Sequence, residues 1–108
     1  MNTIGIDPGS TRHRQPVPLR KGEVLFVDVR TREEYVGFHL PGAVNVPYDE
    51  LDLSLEMLRL SGKVAVVYSA RGRRSQIAAD RLQAYGIPVY DAGTREAAAT
   101  LLSDGGNA

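Results

Sequence analysis

The sequence predicts an α/β domain, a small and mostly parallel β-sheet flanked by helices on both faces. Three observations carry that expectation. Short apolar, β-branched runs recur along the chain, segments of helical period alternate with them, and 108 residues suffice for one packed core but not two. Right-handed crossovers between such strands leave the working end of the sheet beyond their carboxyl termini.

Residues 1–15, MNTIGIDPGSTRHRQ, are polar and carry no period, so they read as a flexible lead-in. The domain proper then spans 16–102, and residues 103–108 form a flexible tail. EVLFVDV (23–29) is the almost continuously apolar pattern of a strand covered on both faces. Thr31 and Glu34 have capping-box spacing at the start of a short helix, TREEYVG. A Pro-Gly turn, a brief strand over Ala43–Val46 and the stop at Pro47 follow. Leu51, Leu55 and Leu58 recur at i, i+4, i+7, one face of a helix that Gly62 closes.

KVAVVY (63–68), apolar on both faces, belongs near the centre of the sheet, which puts Ser69 at its carboxyl end. A helix over 74–86 is expected to turn Ile77, Ala78, Leu82 and Tyr85 inward and Arg74, Asp80, Arg81 and Gln83 outward, with Gly86 just past its end. IPVY (87–90) is a further strand. TREAAATLL (94–102) is a helix capped by Thr94.

Composition excludes several functions. Thirteen basic and thirteen acidic side chains balance to a formal charge of zero, which argues against a general nucleic-acid or membrane-surface binder. No apolar run approaches the roughly 20 residues of a membrane span. The absence of cysteine rules out disulfides, thiolate metal sites and persulfide chemistry on this chain. His13 and His39 have no second ligand at metal spacing, so neither metal nor cofactor is expected. The N-terminus lacks a secretory h-region, which fits a cytoplasmic protein, or a periplasmic one whose signal has been removed. IGIDPGST (4–11) resembles a phosphate- or metal-binding first strand with Asp7 as ligand, but such folds need later carboxylates and more chain. It reads as coincidental.

Chemistry concentrates in VVYSARGRRS (66–75), where a buried strand runs through a glycine turn directly into a helix. Such a turn aims backbone N–H groups and the positive end of the helix dipole into one concavity. Gly72 gives the curl its freedom in φ, and Arg71, Arg73 and Arg74 add three charges. The arrangement suits a small oxyanion, or a thiolate at the loop's first position. Arginines opening a surface helix are often only a solvated face; the position after a buried central strand is what favours anion binding.

The segments LFVDVRTREEY, HLPGAVNVP, VVYSARGRRS, AADRLQAYG and VYDAG occur in an order that resembles a rhodanese domain, the fold of thiosulfate sulfurtransferases, and most of all its short phage-shock-protein-E type. The resemblance covers about 23–93. It implies a catalytic cysteine where this chain has Ser69, with the amides of Ala70, Arg71, Gly72, Arg73 and Arg74 surrounding the transferred sulfur. That cysteine would take a sulfane sulfur from thiosulfate and deliver it to cyanide or another thiophilic acceptor, possible protein acceptors included. Asp28, Arg30 and His39 take supporting roles.

Serine cannot carry a persulfide, and no base stands ready to activate its hydroxyl, so the chain is expected to be inactive in sulfur transfer. Ser69 fits an engineered Cys-to-Ser change, or a natural variant that keeps a pocket for thiosulfate, sulfate, phosphate or a partner protein. A phosphatase ranks below both readings, because that chemistry also needs a cysteine and generally a longer loop. Gly93-Thr94 stand where relatives often carry a second glycine and a tryptophan, so different packing is expected there.

Overall fold

The computed structural model describes residues 21–106. The lead-in, Asp7 and His13 lie outside them. A short 3-10 turn, Lys21–Glu23, opens the described chain. Strand β1 (Val24–Asp28) then leads to helix α1 (Arg32–Gly37), which is capped as its spacing requires. The Glu34 N–H donates to Thr31 Oγ1, and the Thr31 N–H donates to Glu34 Oε1. Strand β2 (Val44–Asn45) is short because Pro47 follows it.

The helix expected through Leu51, Leu55 and Leu58 is two pieces. A 3-10 segment, Tyr48–Leu53, gives way at Ser54 to helix α2 (Leu55–Ser61), which Gly62 ends in the left-handed conformation at φ 71°. The three leucines still face one way: Leu51 and Leu58 are buried, and Leu55 packs against them half-buried. The pattern identified the face correctly and the break escaped it, because a 3-10 turn and an α-turn bring the same leucines to the sheet.

Strand β3 (Val64–Ser69), helix α3 (Arg73–Ala84), strand β4 (Val89–Thr94) and helix α4 (Arg95–Gly106) complete the described residues. The four strands are all parallel, in the order β2-β1-β3-β4. β3 is thus central, as its two apolar faces demand.

Alternation along β3 divides the interior. Ala65 and Val67 join Val27, Leu58, Ala78, Leu82 and Val89 beneath α2 and α3; Val66 and Tyr68 join Phe26, Leu40, Ala43 and Ala98 beneath α4. Leu58, Leu82 and Ile87 are each at most 2% exposed, and full burial of such a side chain stabilises by about 2–3 kcal/mol.

On α3 the buried stripe is Ser75, Ala78, Ala79 and Leu82, at i, i+3, i+4, i+7. Two inward assignments therefore need correction. Ile77 is 46% exposed, one residue and about 100° off that stripe, and Tyr85 is 45% exposed because the helix has ended and its hydroxyl reaches Glu56 Oε1. Arg74, expected to point outward, is half-buried against Glu34. Helix α4 opens with the Ala97 N–H on Thr94 Oγ1 and continues to Gly106. Among the described residues no helix is long and apolar enough to cross a membrane.

Candidate functional site at the carboxyl edge of the sheet

Ser69 is the last residue of β3 and is 0% exposed. Its side chain alternates with Tyr68 and so points toward α3. The chain then turns through Ala70 and Arg71 to Gly72, which adopts φ 92° as the N-cap of α3. Only glycine enters that region at no steric cost. The curl carries two backbone N–H groups back onto Ser69 Oγ, those of Gly72 at 3.0 Å and Ser75 at 3.2 Å. Gly72 has no side chain to cap the helix, so the Ser69 hydroxyl takes that place from the preceding strand.

β4 supports the turn from beside it. Val67 pairs with Asp91, but Tyr68 pairs with Gly93, so Ala92 is an extra residue and β4 bulges. Gly93 takes φ 86°, with its N–H donating to Asp91 Oδ1. Its Cα lies 3.7 Å from where a Cβ on Gly72 would be. The Ser75 hydroxyl lies between the carbonyls of Gly72, at 3.0 Å, and Gly93, at 3.2 Å. Ser75 thus donates its amide to Ser69, and its single hydroxyl proton is shared between the two glycine carbonyls. The ring of amides that the resemblance implies, over Ala70–Arg74, does not include Ser75. A serine at the third position of a helix that opens with glycine was the available signal.

The arginines differ sharply. Arg74 grips Glu34 with both terminal nitrogens, Nη1 to Oε1 at 2.7 Å and Nη2 to Oε2 at 3.2 Å. The Arg74 guanidinium holds the Glu34 carboxyl down at about 2, against the penalty of its partial burial. Reciprocally, donating these hydrogen bonds to the Glu34 carboxylate holds Arg74 above its ordinary value. Arg71 and Arg73 are exposed, and among the described residues their side chains have no hydrogen-bond or ion-pair partner.

A polar buttress lies under the opposite face. Asp28, fully buried, accepts from the Arg30 backbone N–H at 2.9 Å and from its Nε and Nη2, the latter at 2.8 Å. Donating these hydrogen bonds to Asp28 holds the Arg30 guanidinium above its ordinary value. Arg30 Nη2 also donates to the Phe38 carbonyl, and the Asn45 amide donates to the carbonyls of Asp28 and Arg30. The Leu40 N–H donates to the Tyr68 hydroxyl at 3.3 Å, and burial pushes that phenol up to about 12. His39 stacks on Tyr35 with ring centroids 3.7 Å apart, its Nδ1 2.8 Å from the Tyr35 carbonyl. Asp28, Arg30 and His39 therefore hold backbone. Arg95 lies over the exposed Phe38 ring, 4.8 Å from its centroid, on the same edge.

The assembled features are a parallel sheet, a glycine-turned loop at the carboxyl end of its central strand, and amides converging on the loop's first side chain. They define an α/β domain whose central strand ends in a turn that brings two backbone N–H donors and the start of a helix onto one side chain. Among the described residues no cluster of His, Asp and Glu could hold a metal.

The chain belongs to the rhodanese-like domain family, whose model matches residues 17–100. It is 40% identical over 62 residues to the HTH-type transcriptional regulator Rv0324 of Mycobacterium tuberculosis; the match covers 57% of this chain and 26% of that protein, so the chain spans about a quarter of its relative's length. Its fold is similar to the human single-domain sulfurtransferase TSTD1, with TM-score 0.56, 24% identity and coverage of 68% of this chain and 76% of that one. It is similar also to the Saccharomyces cerevisiae single-domain sulfurtransferase RDL2, with TM-score 0.55, 20% identity and coverage of 79% and 78%.

Proposed function

We propose that the chain is a sulfurtransferase scaffold of the short, phage-shock-protein-E type, with Ser69 at the nucleophile position and therefore inert in sulfur transfer as it stands. The observation that carries this reading is the convergence of the Gly72 and Ser75 N–H groups on Ser69 Oγ. A sulfur atom there would have its negative charge met by two amides and the start of α3, conditions that favour thiolate over thiol.

With cysteine at this position the reaction balances in two displacements. The thiolate attacks the outer, sulfane sulfur of thiosulfate; a Cys S–S bond forms, the S–S bond of thiosulfate breaks, and sulfite departs with the bonding pair. Cyanide, or another thiophilic acceptor, then attacks the terminal persulfide sulfur, leaves as thiocyanate and returns the thiolate. Ala70 to Arg74 surround the donor, and the cationic loop favours a dianion over a neutral thiol. The serine oxygen supports no such cycle, since its hydroxyl is a weak nucleophile without an adjacent base, and its hydrogen-bond partners are amide donors.

The test is Ser69→Cys, assayed for thiocyanate formed from thiosulfate and cyanide. The expected result is turnover in the cysteine variant and none in the parent. A cysteine variant that folds and forms no thiocyanate would overturn the assignment.

A further inference from the structure

Resting on this reading of the loop, we infer that its three arginines hold two different jobs: Arg74 is a positioning residue that fixes the loop through Glu34, while Arg71 and Arg73 supply the charge that meets an incoming oxyanion. Arg74 lies between Gly72 and Ser75, the two residues whose amides reach Ser69 Oγ. Its guanidinium is held in a fork by a carboxylate on α1, 40 positions earlier. Glu34 is itself immobilised, because Oε1 also accepts the Thr31 N–H at 2.9 Å as half of a capping box. Through this chain of bonds α1 clamps the first turn of α3.

The same pairing removes Arg74 from anion recognition. Its charge is cancelled by Glu34 at 2.7 Å and its terminal nitrogens already face carboxylate oxygens. Arg71 and Arg73 flank Gly72 on either side, exposed, their side chains without a partner among the described residues. Their two unit charges are what a dianion such as thiosulfate meets on approach. Exposed charges act through a screened field, so their contribution falls with salt; a clamp made of a neutral pair leaves no such signature.

The chain as it stands serves for the test, with thiosulfate as the probe and backbone amide resonances as the readout. Two double variants are compared, Arg71→Gln/Arg73→Gln and Glu34→Gln/Arg74→Gln. The second is charge-neutral, and glutamine still serves the capping box. Arg71→Gln/Arg73→Gln is expected to weaken thiosulfate binding about tenfold and to flatten its salt dependence, with hydrogen exchange at the Gly72 and Ser75 amides unchanged. Glu34→Gln/Arg74→Gln is expected to speed exchange at those two amides about tenfold while the salt slope stays that of the parent. Arg74→Lys, which keeps the charge and loses the fork, should speed the same amides and guards against misfolding of the double variant.

The division is overturned if the neutral double variant flattens the salt dependence as much as loss of Arg71 and Arg73, or if exchange at Gly72 and Ser75 is unmoved in both Arg74 variants. A parent that takes up no thiosulfate overturns the role given to Arg71 and Arg73, and the exchange data still decide Arg74. A silent Ser69→Cys variant alongside the expected exchange and salt results would fault the proposed reaction and leave the division standing.

Discussion

The Ser75 N–H points at Ser69 Oγ from 3.2 Å, so the first turn of α3 is capped by a side chain that belongs to the central strand. Ser69→Ala removes that acceptor, and the one for Gly72, inside a fully buried site. The variant is expected to lose about 1–2 kcal/mol in urea unfolding, the cost of a lost N-cap, even though only one oxygen is deleted. An unchanged midpoint would mean that the amides find another acceptor.

The Glu34–Arg74 pair sets an acid limit. The Glu34 carboxyl falls from an ordinary 4.5 to about 2 in the folded chain, so its contribution is present above pH 4.5 and is lost as pH falls toward 2. Its side chain is 35% exposed, which screens the pair and holds the contribution to about 1 kcal/mol. Glu34→Gln should therefore lower stability at pH 7 and converge with the parent near pH 2, as followed by urea midpoints across that range.

Tyr68 sets the alkaline counterpart. Its phenol has an ordinary value of 10 and is pushed to about 12 by burial, so its own contribution to folding stability is complete below pH 10 and is lost as pH rises toward 12. Tyr68→Phe is expected to remove about 2 kcal/mol of that alkaline slope, at the cost of leaving the Leu40 N–H without its acceptor. Parallel slopes for parent and variant between pH 10 and 12 would contradict it.

Asp28 and Arg30, 0% and 5% exposed, form a buried ion pair whose halves cannot be removed singly. Arg30→Met leaves a carboxylate stranded and is expected to cost about 3–5 kcal/mol; Asp28→Leu/Arg30→Met should cost less than half of that. Calorimetric melting of the two variants side by side checks the order.

The elements were legible because their signals are local. An apolar run marks β3, the Thr31 and Glu34 spacing marks the start of α1, and Gly72 between arginines marks the turn. What escaped depends on contacts between distant segments. Nothing near Arg74 reveals that Glu34 will occupy it, so three arginines in four positions look equivalent. Ser75 is an ordinary helix residue until β4 brings the Gly93 carbonyl to its hydroxyl. Ile77 and Tyr85 were assigned inward on apolar character alone, where the small Ala78 and Ala79 let α3 lie close to the sheet and claim that side.

The supernumerary Ala92 has a further meaning. Pairing on either side of it, Val67 with Asp91 and Tyr68 with Gly93, would survive its deletion, yet the kink that lets Gly93 lean toward α3 would not. Shortening this outer ribbon by a single residue would therefore leave the sheet intact while depriving the Ser75 hydroxyl of one of its two carbonyls. Tolerance to insertion and deletion should thus be lowest at a point 23 positions beyond Ser69, in a segment that carries no reactive group of its own.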